Sequence, residues 1–87
     1  DEAIWFAYYQ TLAGDAADGY KGCPGIGKVK ATKLIEGIYD EVELWNIVVT
    51  TYLDKGLTEE DAINTMRLSC MKQYNGKGVT LWLPPGH

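Results

Sequence analysis

Asp15 and Asp18 stand three residues apart, just ahead of a glycine turn, Pro24-Gly25-Ile26-Gly27, that runs into Lys28. Carboxylates are hard oxygen donors. Two at this spacing fall on one side of a helical turn, where they can hold Mg²⁺ or Mn²⁺. The same residue type also suits turn and helix-capping roles, so spacing alone leaves both readings open. The glycine turn calls for different chemistry. Glycines let backbone N–H groups approach a ligand with no Cβ in the way. A helix that starts at Lys28 adds unpaired N–H donors and the positive end of its dipole, a combination that favours phosphate. Between Gly19 and Ile35 there are four lysines, Lys21, Lys28, Lys30 and Lys33, and no acid. Nothing in this stretch is suited to reading base edges, so the expected ligand is a nucleic-acid backbone held without regard to sequence.

Other catalytic sets are excluded. His87 is the only histidine and the last residue, so neither a Ser–His nor a Cys–His pair can be assembled with it in a folded site. Cys23 and Cys70 fit neither a disulfide framework nor a zinc site and read as reduced, packed thiols. A two-metal phosphodiesterase needs more carboxylates than Asp15 and Asp18. The remaining acids read as helix caps and solvated faces, so the missing ligands must come from elsewhere.

Positioning these residues requires helices. The 87 residues make one small domain, and 46% apolar residues suffice for its core. Glu2 to Leu12 reads as a helix, with Ile4, Trp5, Tyr8, Tyr9 and Leu12 at helical spacing. Its aromatic cluster, Trp5, Phe6, Tyr8 and Tyr9, reads as core packing, the alternative being base stacking, which usually needs exposed rings on a sheet. Residues 14–27 read as loop and short turns. Lys28 to Glu36 reads as the next helix, with Val29, Ala31, Leu34 and Ile35 inward and the lysines outward. Asp40 to Lys55 follows, with Val42, Trp45, Val48, Val49 and Tyr52 on one face. Thr58-Glu59-Glu60-Asp61 reads as a capping box for a last helix ending near Gln73, which places Ile63, Met66, Cys70 and Tyr74 together. Asn75 to Gly78 reads as a turn. The strand-like Val79 to Leu83 is expected to lie extended over the helices, anchored by Leu81, Trp82 or Leu83. The fold class is therefore all-α, with a short extended C-terminal tail.

Net charge is −4, unevenly distributed. Residues 36–61 carry eight acids against one lysine, whereas the glycine turn and its helix are basic. A polyanion gripped at one spot suits such asymmetry. No membrane span or signal peptide is visible, so the expected compartment is cytoplasmic, that of a bacterial host if the gene is phage-borne. The chain begins at Asp1 within a helical pattern and reads as one domain of a larger, monomeric protein.

Gly14 to Gly27, GDAADGYKGCPGIG, resembles the helix–three-turn–helix region of the 5′→3′ exonuclease and flap endonuclease family. The form is closest to the phage exonuclease branch, which is similar to the 5′-nuclease domain of bacterial DNA polymerase I. The match is specific over residues 14–35 and looser elsewhere. The resemblance implies that Asp15 and Asp18 help hold the second of two Mg²⁺ or Mn²⁺ ions. It implies that Gly25, Ile26 and Gly27 grip the backbone of duplex or 5′-branched DNA, with K⁺ at the turn. Lys28 and Lys30 are then the main lysine contacts, and Lys21 and Lys33 weaker ones. The family form Gly-Ile-Gly-Pro-Lys-Thr-Ala puts lysine at position 29, where this chain has Val29. The other carboxylates of such enzymes lie in an upstream α/β domain, absent here. Residues 1–87 are thus expected to be the C-terminal helical DNA-binding domain of a metal-dependent 5′→3′ exonuclease, inactive alone. One alternative is a stand-alone helix-hairpin-helix DNA-binding module. Another is a protein-interaction domain working through the acidic face from Asp40 to Asp61.

Overall fold

Four helices carry nearly all the regular structure of the computed structural model, which describes residues 2–15, 19–73 and 82–85. Helix α1 spans Glu2–Ala13, α2 Lys28–Ile35, α3 Glu41–Asp54 and α4 Glu59–Gln73. Between α1 and α2, β1 (Gly14–Asp15) pairs antiparallel with β2 (Tyr20–Lys21), Gly14 opposite Lys21 and Asp15 opposite Tyr20. The all-α expectation holds, and this two-residue ladder is its one departure among the described residues. Asp18, Tyr74, the turn at 75–78 and the strand-like residues 79–81 lie outside the described residues.

The core gathers where α1 lies against α4, with α3 alongside. Ala7, Tyr8, Leu12, Leu44, Val48, Tyr52, Ala62, Met66 and Cys70 are all buried there. Hydrogen bonds satisfy its polar members, as burial demands. Thr11 Oγ1 donates to the Ala7 carbonyl at 2.7 Å, and the Tyr52 hydroxyl donates to the Thr11 carbonyl at 2.7 Å. Among the described residues, no buried side-chain nitrogen or oxygen lacks a partner. The last helix starts as its sequence predicts. The Asp61 N–H donates to Thr58 Oγ1, and the Thr58 N–H donates back to Asp61 Oδ2. Asp40 caps α3 by accepting from the Glu43 N–H at 3.0 Å. Two of the acids from 36 to 61 thereby serve helix ends.

Helical periodicity misplaces several side chains. Val29, Leu34 and Val42 are exposed rather than inward. Helix α2 is only eight residues long and buries just Ala31 and Ile35. Its contact stripe is too narrow for four apolar residues. On α3 the buried stripe runs through Leu44, Trp45, Val48 and Tyr52, rotated away from Val42. The expected tail anchor is present at Trp82. Its ring meets Trp45 edge-on at 5.0 Å and Tyr8 at 6.2 Å. Its carbonyl accepts from Arg67 Nε at 3.0 Å. Leu83 is exposed and anchors nothing.

Candidate functional site: the glycine turn and its neighbours

The chain leaves α1 through a backbone crossing so tight that two glycines are needed. A Cβ at Gly22 would lie 2.3 Å from the Leu12 carbonyl oxygen and 2.4 Å from the Gly14 nitrogen. A Cβ at Gly14, whose φ is +80°, would lie 2.4 Å from the Gly22 nitrogen. Real side chains do not fit at such distances. The crossing continues as the Cys23 N–H donates to the Leu12 carbonyl at 2.9 Å. The Cys23 thiol is buried and contacts the Thr51 carbonyl of α3. Burial pushes its ionisation up, so it stays a neutral packing group.

From this anchored point the chain turns. The Ile26 N–H donates to the Cys23 carbonyl at 3.1 Å, and Gly25 takes the left-handed conformation, φ +77°. Ile26 is half-buried and packs against the core, as its place in the turn suggests. Gly27 is the N-cap of α2, and its carbonyl accepts from the Ala31 N–H at 2.9 Å. The N–H groups of the first helical turn have no intrahelical acceptor. A side-chain cap would normally cover one of them, and here none does.

Gly27 differs from the crossing glycines in a way that matters for function. Its φ is −88°, which any residue can adopt, and a Cβ built there meets nothing within 4 Å. The fold therefore does not require glycine at this position. Serine, asparagine or aspartate would cap the helix somewhat better. The helix start is left bare of side-chain caps and open to solvent.

The four lysines are all exposed but do not form one group. Lys30 and Lys33 line a shallow cleft of about 230 Å³ with Ile26 and Leu34. Lys28 faces a different cleft, lined by aromatic side chains of α1 and by Asp15. Lys21 lines a third with Asp15, Gly22 and Pro24. A fifth cation joins the turn. The Lys55 ammonium lies 3.4 Å from where a Cβ on Gly25 would stand. Sequence reading passed over Lys55 because it sits alone in an acidic stretch. Its position just after α3 brings it back across the fold to the turn, which only tertiary structure can show.

Asp15 sits in β1 rather than on a helical turn, so the same-side-of-a-helix rationale does not describe it. Its Oδ2 accepts from Gln10 Nε2 at 3.1 Å, which ties the carboxylate to α1. Asp18 lies outside the described residues. Among the described residues, no three of His, Cys, Asp and Glu converge as a metal site.

The fold and this site define a class first: a small all-helical domain with a basic, glycine-bounded helix start beside an aspartate. No family model matches the chain, and no solved structure matches it. A particular relative does. The chain is 24% identical, over 116 aligned residues, to a protein of Escherichia phage T7 described as an exonuclease. The alignment covers 97% of this chain but 39% of the phage protein. This distant likeness points toward nucleases. No helix among the described residues is long and apolar enough to cross a membrane.

Proposed function

We propose that this chain is the DNA-holding C-terminal part of a phage-type 5′→3′ exonuclease. In this reading the turn from Gly25 to Gly27 and the start of α2 form a helix-hairpin-helix-type grip on the backbone of duplex or 5′-branched DNA. The single observation that carries the reading is Gly27. Its glycine serves no need of the fold, yet it leaves an uncapped helix start open to a phosphate, flanked by Lys28 and Lys30. Backbone N–H groups and the helix dipole supply directional donors for phosphate oxygens, and the lysines supply charge along the strand. Lys55 adds charge at Gly25, and Lys21 and Lys33 contribute from the rim. The likeness to the phage T7 exonuclease supports a nucleic acid as the polyanion.

Asp15 and Asp18 are, in this proposal, two ligands of a divalent-metal site whose other carboxylates belong to a further domain. Bound there, Mg²⁺ or Mn²⁺ would supply charge neutralisation for phosphodiester hydrolysis. This chain's part is to hold one edge of that site, with Gln10 orienting Asp15. The proposal also expects a K⁺ ion to help at the turn.

The test is duplex binding by residues 1–87 across a salt series, with cleavage assayed in Mg²⁺. The expected result is weak, sequence-independent affinity that falls with salt by a log–log slope of about 2 to 3, and no cleavage. Affinity that ignores salt removes the backbone grip. Robust Mg²⁺-dependent cleavage by the chain alone removes the idea that its metal site is incomplete.

A further inference from the structure

Leu34 has helical spacing for the core, yet it is 36% exposed. Ile26 is only half-buried. Both line the shallow cleft of about 230 Å³ whose remaining walls are Lys30 and Lys33. Lys30 stands three residues before Lys33 and four before Leu34, so all three share one face of α2. Ile26 belongs to the glycine turn itself, so the cleft continues the surface of the turn along the helix. Its exposed surface is almost wholly apolar, with an ammonium group on each of the two lysines at its edge.

We propose that this cleft seats one sugar of the strand gripped at the turn, with its 2′ carbon toward Ile26 and Leu34, and that it accepts deoxyribose and rejects ribose. The inference rests on the backbone-holding reading and deepens it by naming the sugar. A nucleic-acid strand alternates charged phosphates with sugars that present apolar C–H faces. The cleft carries the complementary alternation, two cations beside an apolar floor. Its volume lies below that of pockets that enclose a drug-sized ligand and suits a single sugar ring. The two sugars differ by one hydroxyl. Deoxyribose brings only C–H groups to the floor at its 2′ carbon. Ribose brings an O–H group, which loses its water there. Isoleucine and leucine offer that group no partner. Lysine ammonium groups donate and cannot accept, so the hydroxyl proton finds no side-chain acceptor in the cleft. A polar group desolvated without a partner costs more than an ordinary hydrogen bond gains. Discrimination therefore comes from a missing acceptor and not from a clash.

The experiment measures fluorescence anisotropy of residues 1–87 with three labelled duplexes of one sequence: all-deoxyribose, all-ribose and all-2′-fluoro. The fluoro duplex has the A-type shape of RNA but carries no hydroxyl proton. The deoxyribose and fluoro duplexes are expected to bind alike, and the ribose duplex about tenfold more weakly. A fluoro duplex bound as weakly as the ribose one overturns the proposal, because helix shape and not the cleft is then what the protein rejects. Equal binding of all three also overturns it and leaves the backbone reading standing. Failure to bind any of them removes the backbone reading and the sugar site with it. Two variants at the exposed Leu34 sharpen the result, both with side chains that suit a helix. Leu34→Gln supplies an acceptor and should bring the ribose duplex within about threefold of the deoxyribose one. Leu34→Met keeps the floor apolar and should keep the full gap. An undiminished gap in Leu34→Gln, or a lost gap in Leu34→Met, overturns the proposal.

Discussion

Two pairs of glycines in this chain do opposite things. Gly14 and Gly22 meet where two backbone segments cross, and each would collide with main-chain atoms if it carried a Cβ. Gly25 and Gly27 bound an open turn. Gly25 is needed for its positive φ, and Gly27 is not needed by the fold at all. The first pair serves the backbone crossing; of the second, Gly25 answers a backbone need, while no contact and no φ demands glycine at Gly27. Glycine-rich sequence is therefore not one signal. The neighbours of a notional Cβ separate a structural glycine from a functional one.

The largest expected effect tests the crossing. Gly22→Ala puts a methyl group against three main-chain atoms of residues 12–14, none of which can swing aside. A destabilisation of about 3 kcal/mol or more is expected in urea unfolding, at or beyond the upper end for overpacking. A native-like midpoint would show that the crossing can open and that the two pairs differ less than described.

The core around the crossing also predicts a pH response. Burial, with Glu41 nearby, pushes the Cys70 thiol from 9.0 up to about 11, and burial raises the Tyr8 hydroxyl as well. Above pH 9 the unfolded chain loses the thiol proton while the folded chain keeps it. The contribution is thus whole below pH 9 and is lost as pH rises through 11. Cys70 alone should lower stability by up to about 1.4 kcal/mol per pH unit in that window, and Tyr8 adds to the fall above its ordinary value of 10.0. Cys70→Ala should flatten the early part of the fall, measured by thermal melts at pH 7 to 11.

The turn should respond in binding and not in folding. Lys28→Ala combined with Lys30→Ala is expected to lower the salt slope of duplex binding by about 2. Gly27→Ala is the sharper probe. Stability should fall by no more than about 1 kcal/mol, the cost of replacing a glycine N-cap by alanine. Duplex affinity should fall about tenfold if the methyl group blocks the close approach of phosphate. Unchanged affinity would leave Gly27 with no explanation in either fold or ligand. The smallest effect belongs to Lys55→Ala, which should reduce the salt slope by less than about 1. No change there would detach Lys55 from the turn.

Much of this was legible beforehand, and the misses have physical causes. The four helices and the capping box at Thr58 and Asp61 follow from local rules of periodicity and capping, whereas the tail anchor was narrowed only to Leu81, Trp82 or Leu83. The placements of Val29, Leu34 and Val42 failed because a short helix does not declare how wide its buried stripe is. The aromatic residues of α1 read as core because their spacing is helical and their type is apolar. Spacing cannot say which partner covers which ring. Tyr8 went into the core with α4 and α3, whereas Phe6, packed on Tyr9, was left 41% exposed.

The candidate site divides the same way. The glycine turn, its lysines and Asp15 could be named from residue type and order, because backbone access, charge and carboxylate chemistry are local properties. Their grouping could not. Lys28 shares a cleft with Asp15 and aromatic rings, Lys30 and Lys33 share another with Ile26, and Lys55 arrives from the far end of α3. The sequence by itself determined the helices, their caps and the presence of a lysine-flanked glycine turn, since each depends on residues within a few positions. Only the tertiary structure decided which glycines serve the fold, which cations meet at the turn and which apolar side chains stay exposed. Those properties depend on what packs across the chain, and packing partners distant in sequence leave no trace in local spacing.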